Sequence, residues 1–174
     1  RLEHAEHGLL RAHAPAHPAI GFEKRLGPEQ AQQLAWQQAL TWFEQLTPAD
    51  LAHMEAIYTT DARFKDPFNE VNRIEDIRHI FTHMFTQVNN PRFVVHTAFE
   101  QGGQVFLGWH FLFEMKRGKA GEVQCCRGSC HLRLNESGLV QSHRDYWDAA
   151  EELYEKLPLV GALMRALRRR LTAH

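Results

Sequence analysis

The sequence predicts an α+β domain in which a curved, mixed or antiparallel sheet wraps around helices that come first in the chain. Two features of its patterning carry that prediction. The N-terminal half holds three segments whose apolar residues recur at helical spacing. Beyond Pro91 the hydrophobic period falls to two, and Gly-containing turns divide the rest into four runs at hairpin spacing. At 174 residues and 44% hydrophobic content, the chain has apolar surface for one core and no sign of a second domain.

The elements follow in order. Residues 1–27, rich in Ala, His and Pro, read as an irregular N-terminal arm. A first helix is expected from Pro28, a residue suited to an opening turn, with Leu34, Ala35, Ala39, Trp42, Phe43 and Leu46 on its inner stripe. "TPADLAHMEAIY" predicts a second helix, capped by Thr47, with Leu51, Met54, Ile57 and Tyr58 facing inward. "ARFKDPF" predicts a short strand closed by Pro67. "NRIEDIRHIFTHMFTQV" predicts a third helix, with Asn72 as cap and Ile74, Ile77, Phe81, Met84 and Phe85 inward. The four strands are "PRFVVHTAFEQ", "QVFLGWHFLFEMKR", "EVQCCRGSCHLRL" and "LVQSHRDYWD". The main domain therefore spans residues 28–150, and residues 151–174 form a C-terminal helical extension broken near Pro158. Helices must cover one face of the sheet, and a strongly curved sheet around a helix leaves a pocket at its wide end.

Charge and cysteine usage exclude several classes. A formal net charge of −1 gives no global attraction for nucleic acid. No apolar run approaches the ~20 residues needed to cross a bilayer. Three closely spaced cysteines, Cys125, Cys126 and Cys130, do not make a disulfide framework, so reduced thiols and a cytoplasmic location are expected. The basic tail "GALMRALRRRL" is a candidate for membrane contact, but a docked terminal helix whose cations favour its C-terminal dipole is the preferred reading. His79 and His83 stand four apart, a spacing that can hold a metal, yet no third ligand is in register and a solvated helix face is expected. No motif implies a metal or an organic cofactor. The arm histidines His4, His7, His13 and His17 are expected to be a polar segment.

The order of elements and the run "YTTDARFKDPFNEVNRIEDIRHIFTHMF" resemble the nuclear transport factor 2-like superfamily. This is the cystatin-like cone fold of ketosteroid isomerase, limonene epoxide hydrolase and the SnoaL-like polyketide cyclases. The resemblance covers about residues 30–150. Set against ketosteroid isomerase, "DARFKDP" is similar to the strand that carries the general base, which implies Asp66 for that role. Trp42 and Cys130 fall where that enzyme has its two acidic oxyanion donors, so the base position is kept and both donors are replaced. Set against limonene epoxide hydrolase, "HRDYWD" resembles the strand that supplies one catalytic Asp, which implies Asp145; "LGWHFLF" lacks the Arg and second Asp of that family.

The resemblance turns His143, Asp145 and Trp147 toward the cone's interior. Alternation then adds Trp109, Phe111 and Phe113, with Gly128 and Cys130 on the next strand. Trp42, Phe81, Met84 and Phe85 would close the narrow end, with Tyr58, Phe64 and Asp66 near the mouth or first strand. An aromatic chamber with few ionisable groups suits a small, mostly apolar ligand. Asp66, His143 and Asp145 are the catalytic candidates: a buried carboxylate can act as base or acid near neutral pH, and Asp145 could orient His143. Asp66 could equally cap a turn before Pro67. The functional expectation is therefore acid–base catalysis of isomerase, cyclase or hydrolase type, with a non-catalytic ligand-binding or dimerisation module as the alternative. Whether the chain is an enzyme stays open at this point. The outer sheet face, with His110, Leu112, Arg133 and Tyr146, is expected to pair two copies into a homodimer.

Overall fold

A computed structural model describes residues 27–116, 121–152 and 165–170. The arm, apart from Gly27, and the Pro158 break lie outside the described residues.

Helix α1 runs Pro28–Gln45, a 3-10 helix follows at Pro48–Ala56, and α2 spans Ile74–Gln87. The strands are β1 (Tyr58–Lys65), β2 (Glu70–Val71), β3 (Val88–Gln101), β4 (Gln104–Met115), β5 (Val123–Leu134) and β6 (Val140–Trp147), with a short α3 at Ala149–Glu152. They form one mixed sheet in the order β2-β1-β6-β5-β4-β3. Only β1 and β6 pair in parallel; all other neighbours are antiparallel. The predicted α+β architecture, a curved and unclosed sheet packed on its helices, is the one observed. Residues 165–170 are helical, and no helix among the described residues is long and apolar enough to cross a membrane.

Two local expectations differ. The second helix is 3-10 rather than α, and it stops at Ala56, so Tyr58 opens β1 instead of closing a helical stripe. His53 leaves helical geometry at φ −120°, and the run Ile57-Tyr58-Thr59-Thr60 is β-branched and aromatic, a composition that packs better on a pleated surface. At the start of α2 the N-cap is Arg73 rather than Asn72, with no side-chain cap; the Arg73 carbonyl accepts from Asp76 and Ile77 N–H.

The core lies between helices and sheet. Met54, Ile74, Ile77, Leu107, Leu132 and Val140 are fully buried there. Helix α1 packs on β3, and α2 packs on β1, β3 and the 3-10 helix. One glycine fixes the seat of α1: Gly138, in the turn before β6, has φ +80°, and a Cβ there would lie 2.3 Å from the Ala35 Cβ. The position needs glycine for conformation and for space.

Candidate functional site

Register decides which groups meet on the inner face. In the β5–β6 ladder, Cys130 faces Asp145, Leu132 faces His143 and Gly128 faces Trp147. In β1–β6, Phe64 lies beside His143. The period of two along β6 then puts His143, Asp145 and Trp147 on one side.

His143 is the centre of the arrangement. Its side chain is 3% exposed and sits edge-on to Phe43 and Phe64, with ring centroids 5.3 and 4.9 Å away, and parallel to Tyr58. Both ring nitrogens are bonded: Nδ1 to the Tyr58 hydroxyl at 2.7 Å and Nε2 to Asp145 Oδ1 at 2.9 Å. An ionised carboxylate can only accept, so Nε2 carries the hydrogen; in the uncharged ring Nδ1 then accepts from the Tyr58 O–H. The chain Tyr58 → His143 → Asp145 therefore runs in one direction. Burial, reinforced by the Asp145 charge and then by Cys130, pushes the Tyr58 phenol well above its ordinary range, which keeps it a donor.

Cys130 completes the cluster. One ligand-type atom from each of Cys130, His143 and Asp145 lies within 4.8 Å of the others. The three border a void of only about 20 Å³ beneath Phe81 and Trp109. Burial, then the Asp145 charge, drives the Cys130 thiol far upward, against weaker pulls from the Trp109 side chain and the Leu107 backbone. A protonated thiol is not a nucleophile, and Cys130, expected from the sequence on the ligand-facing wall, borders this void and is not on the lining of the wider cavity beside it.

Asp145, at 18% exposure, separates that void from a wider cavity of about 280 Å³ and lines both. The wider wall is aromatic. β1 supplies Phe64, α2 Phe81 and Met84, β3 Phe93, and β4 Trp109, Phe111 and Phe113. Trp147 and Asp66 complete the rim with Asn69 and Glu152. The Trp109 ring lies across the sheet because residue 128, opposite it, is glycine: a Cβ there would be 2.4 Å from the indole.

Asp66 lines the same cavity, with its carboxylate already engaged. Oδ1 accepts from the Phe68 N–H at 2.7 Å, the Asn69 N–H at 2.6 Å and the Asn69 amide at 3.0 Å; Oδ2 accepts from that amide at 2.9 Å. This is the turn-capping geometry open to an Asp before Pro67. Of the other sequence candidates, Trp42 is off the lining, packed edge-on against Phe43, Tyr58 and Phe81. Phe85 packs against the core and is also off it. Tyr58 lies inside, at 1% exposure, rather than at the mouth. Sequence reasoning missed Phe93, although Phe93 and Val95 alternate with exposed Val94 on β3 and so carried the signal. It also missed the Tyr58–His143 bond, which joins residues 85 positions apart. His83 reaches the cavity wall, while its helical neighbour His79 does not.

Comparisons with known proteins agree with this architecture. The family model of the SnoaL-like domain matches residues 39–143, more than half of the chain. No curated protein matches it significantly in sequence. Among solved structures it is similar to a protein of Jannaschia sp. assigned to the SnoaL-like polyketide cyclases, at TM-score 0.60 and 15% identity over 70% of this chain and 90% of that one. An LEH-like epoxide hydrolase of M. tuberculosis aligns at TM-score 0.58 and 14% identity, covering 78% of this chain and 97% of that one. A hypothetical protein of Catenulispora acidiphila with a ketosteroid isomerase-like fold, in complex with trimethylamine, aligns at TM-score 0.56 and 16% identity over 70% and 88%. The relatives thus include cyclase-, isomerase- and hydrolase-type proteins on one scaffold, and the chain belongs to the SnoaL-like domain family of the nuclear transport factor 2-like superfamily.

Proposed function

We propose that this chain is an acid–base enzyme that takes a small, mostly apolar molecule into the 280 Å³ cavity and moves a proton with Asp145. The observation that carries the reading is the chain of two hydrogen bonds, 2.7 and 2.9 Å, from Tyr58 through His143 to the one carboxylate that borders both void and cavity. His143 orients Asp145 and is positioned in turn by Tyr58; neither is among the residues lining the wider cavity, so both are positioning residues. Asp66 keeps its turn and contributes charge and wall, because a base needs a free lone pair aimed at the substrate and the four hydrogen bonds its carboxylate accepts hold the loop 66–69. The trimethylamine complex of the C. acidiphila protein supports reading such a cone as a small-molecule site.

The relevant reaction class is proton transfer at a weakly acidic C–H, as in an isomerisation or cyclisation. It is tested by incubating the protein with small apolar carbonyl and amine compounds in deuterated water and following C–H exchange by NMR. Exchange that falls by about 10²-fold or more in Asp145→Asn, within the usual range for a general base, supports the assignment. Tight binding without exchange in the native protein would establish the non-catalytic alternative instead. Pairing of two copies through the outer sheet face is proposed from exposed Val94, Phe99 and Tyr146; sedimentation giving only a monomer would end it.

A further inference from the structure

We infer that the cavity beside Asp145 selects an organic cation, a small amine or quaternary ammonium compound with apolar substituents. The inference rests on the reading of this cavity as the working site and adds the charge of what enters it. Its first support is the balance of charge on the wall. Asp66 and Asp145 both line the cavity, and their hydrogen bonds come from backbone, amide and imidazole groups rather than from Lys or Arg. A third carboxylate, Glu152, has the Arg127 guanidinium 3.3 Å away, which offsets its charge. Among the described residues no Lys or Arg lines the cavity, and His83 is the single basic side chain on it. Carboxylates therefore outnumber basic side chains on this wall.

The second support is the material of the wall. Phe93 stands at 89° to Trp109 with centroids 5.5 Å apart, and Phe111 lies against both Phe93 and Phe113 at 4.7 and 5.1 Å. Trp147 also lines the cavity. Aromatic faces carry negative quadrupole, so rings that enclose a space together with carboxylates attract a cation whose substituents are apolar. An anionic ligand meets repulsion from both. The volume, about 280 Å³, lies just below the ~300–1,000 Å³ of drug-sized ligand sites, so the guest is small. The third support is a missing counter-charge. Trp42, which falls at an oxyanion-donor position by resemblance, is off the lining, and the Trp109 side chain bonds Cys130. A neutral carbonyl whose proton passed to Asp145 would move the negative charge from that carboxylate onto the substrate, beside Asp66; a substrate that carries its own positive nitrogen compensates the charge in both states.

The test is isothermal titration of the native protein with choline and with its neutral isostere dimethylbutanol, in which carbon replaces the quaternary nitrogen. Choline is expected to bind at least about tenfold tighter than the isostere, as a desolvated cation–π site allows. The preference should shrink in Asp145→Asn and with added salt. Equal or tighter binding of the isostere, or no choline binding at millimolar concentration, overturns the inference. The comparison needs no variant, so it stands even if Asp145→Asn folds poorly. A native protein that prefers the isostere and still exchanges C–H protons through Asp145 would remove this inference and leave the acid–base reading intact.

Discussion

Replacing Tyr58 by Phe removes one oxygen atom and nothing else from the centre of the molecule. That oxygen makes a 2.7 Å hydrogen bond to His143 Nδ1, and the two residues are only 1% and 3% exposed. No water can take its place without rearrangement of the rings around it. The imidazole would then keep its bond to Asp145 and lose the partner of its other nitrogen. Leaving a buried acceptor unpaired costs about 1–3 kcal/mol. The Phe ring preserves the edge contact to Trp42 at 5.9 Å and the stacking on His143, so loss of packing adds little. We expect Tyr58→Phe to unfold about 2 kcal/mol more easily in urea, which corresponds to about 4–8 °C in Tm for a chain of this size. NMR of the imidazole nitrogens should show Nε2–H as the main tautomer in both proteins, with the Nδ1 resonance shifted in the variant by the loss of the Tyr58 hydrogen bond. Unfolding free energy unchanged to within about 0.3 kcal/mol, with unaltered imidazole resonances, would refute the argument, since a bond of this burial cannot be removed without consequence.

Alkaline pH should weaken the fold. The Cys130 thiol and Tyr58 phenol have folded pKa values raised above their unfolded ones, so their contribution is complete below the unfolded pKa and fades as pH rises beyond it. With an unfolded thiol titrating near ~8.5, Cys130 alone should remove about 2 kcal/mol of stability by pH ~10, read as a falling urea midpoint that Cys130→Ala flattens. Tyr58 should add to the loss only above pH ~10. Gly128→Ala forces the Trp109 indole, which a Cβ would approach to 2.4 Å, out of its seat. We expect a loss of about 1–3 kcal/mol and a shifted tryptophan emission; a variant as stable as the native protein, with unchanged emission, would show that the ring does not rest there.

The path from sequence to site was uneven for physical reasons. The change of hydrophobic period near Pro91 predicts the helices-first, sheet-later order, because burial of one face imposes that period on any sequence. The alternation of "SHRDYWD" predicts which of its residues share a face, and the family resemblance supplied the direction. Tyr58 was harder. A residue at the junction of a helix and a strand has no settled period, and the 3-10 turn ahead of it moved it from a helical stripe onto β1. Its bond to His143 depends on a parallel pairing of the first and last long strands, a long-range event that local pattern does not encode. Asp66 was legible as two alternatives, cap or base, and only three-dimensional hydrogen bonding distinguishes what holds its oxygens.

The central claim is that Asp145, steadied by His143, is the base of this cavity. Asp66 and Asp145 line one chamber and differ in what holds them, so the most direct measurement compares their Asn variants side by side. C–H exchange of the same probe should fall about 10²-fold or more in Asp145→Asn and less than about tenfold in Asp66→Asn. The reverse order, or an equal and slight loss in both, contradicts it.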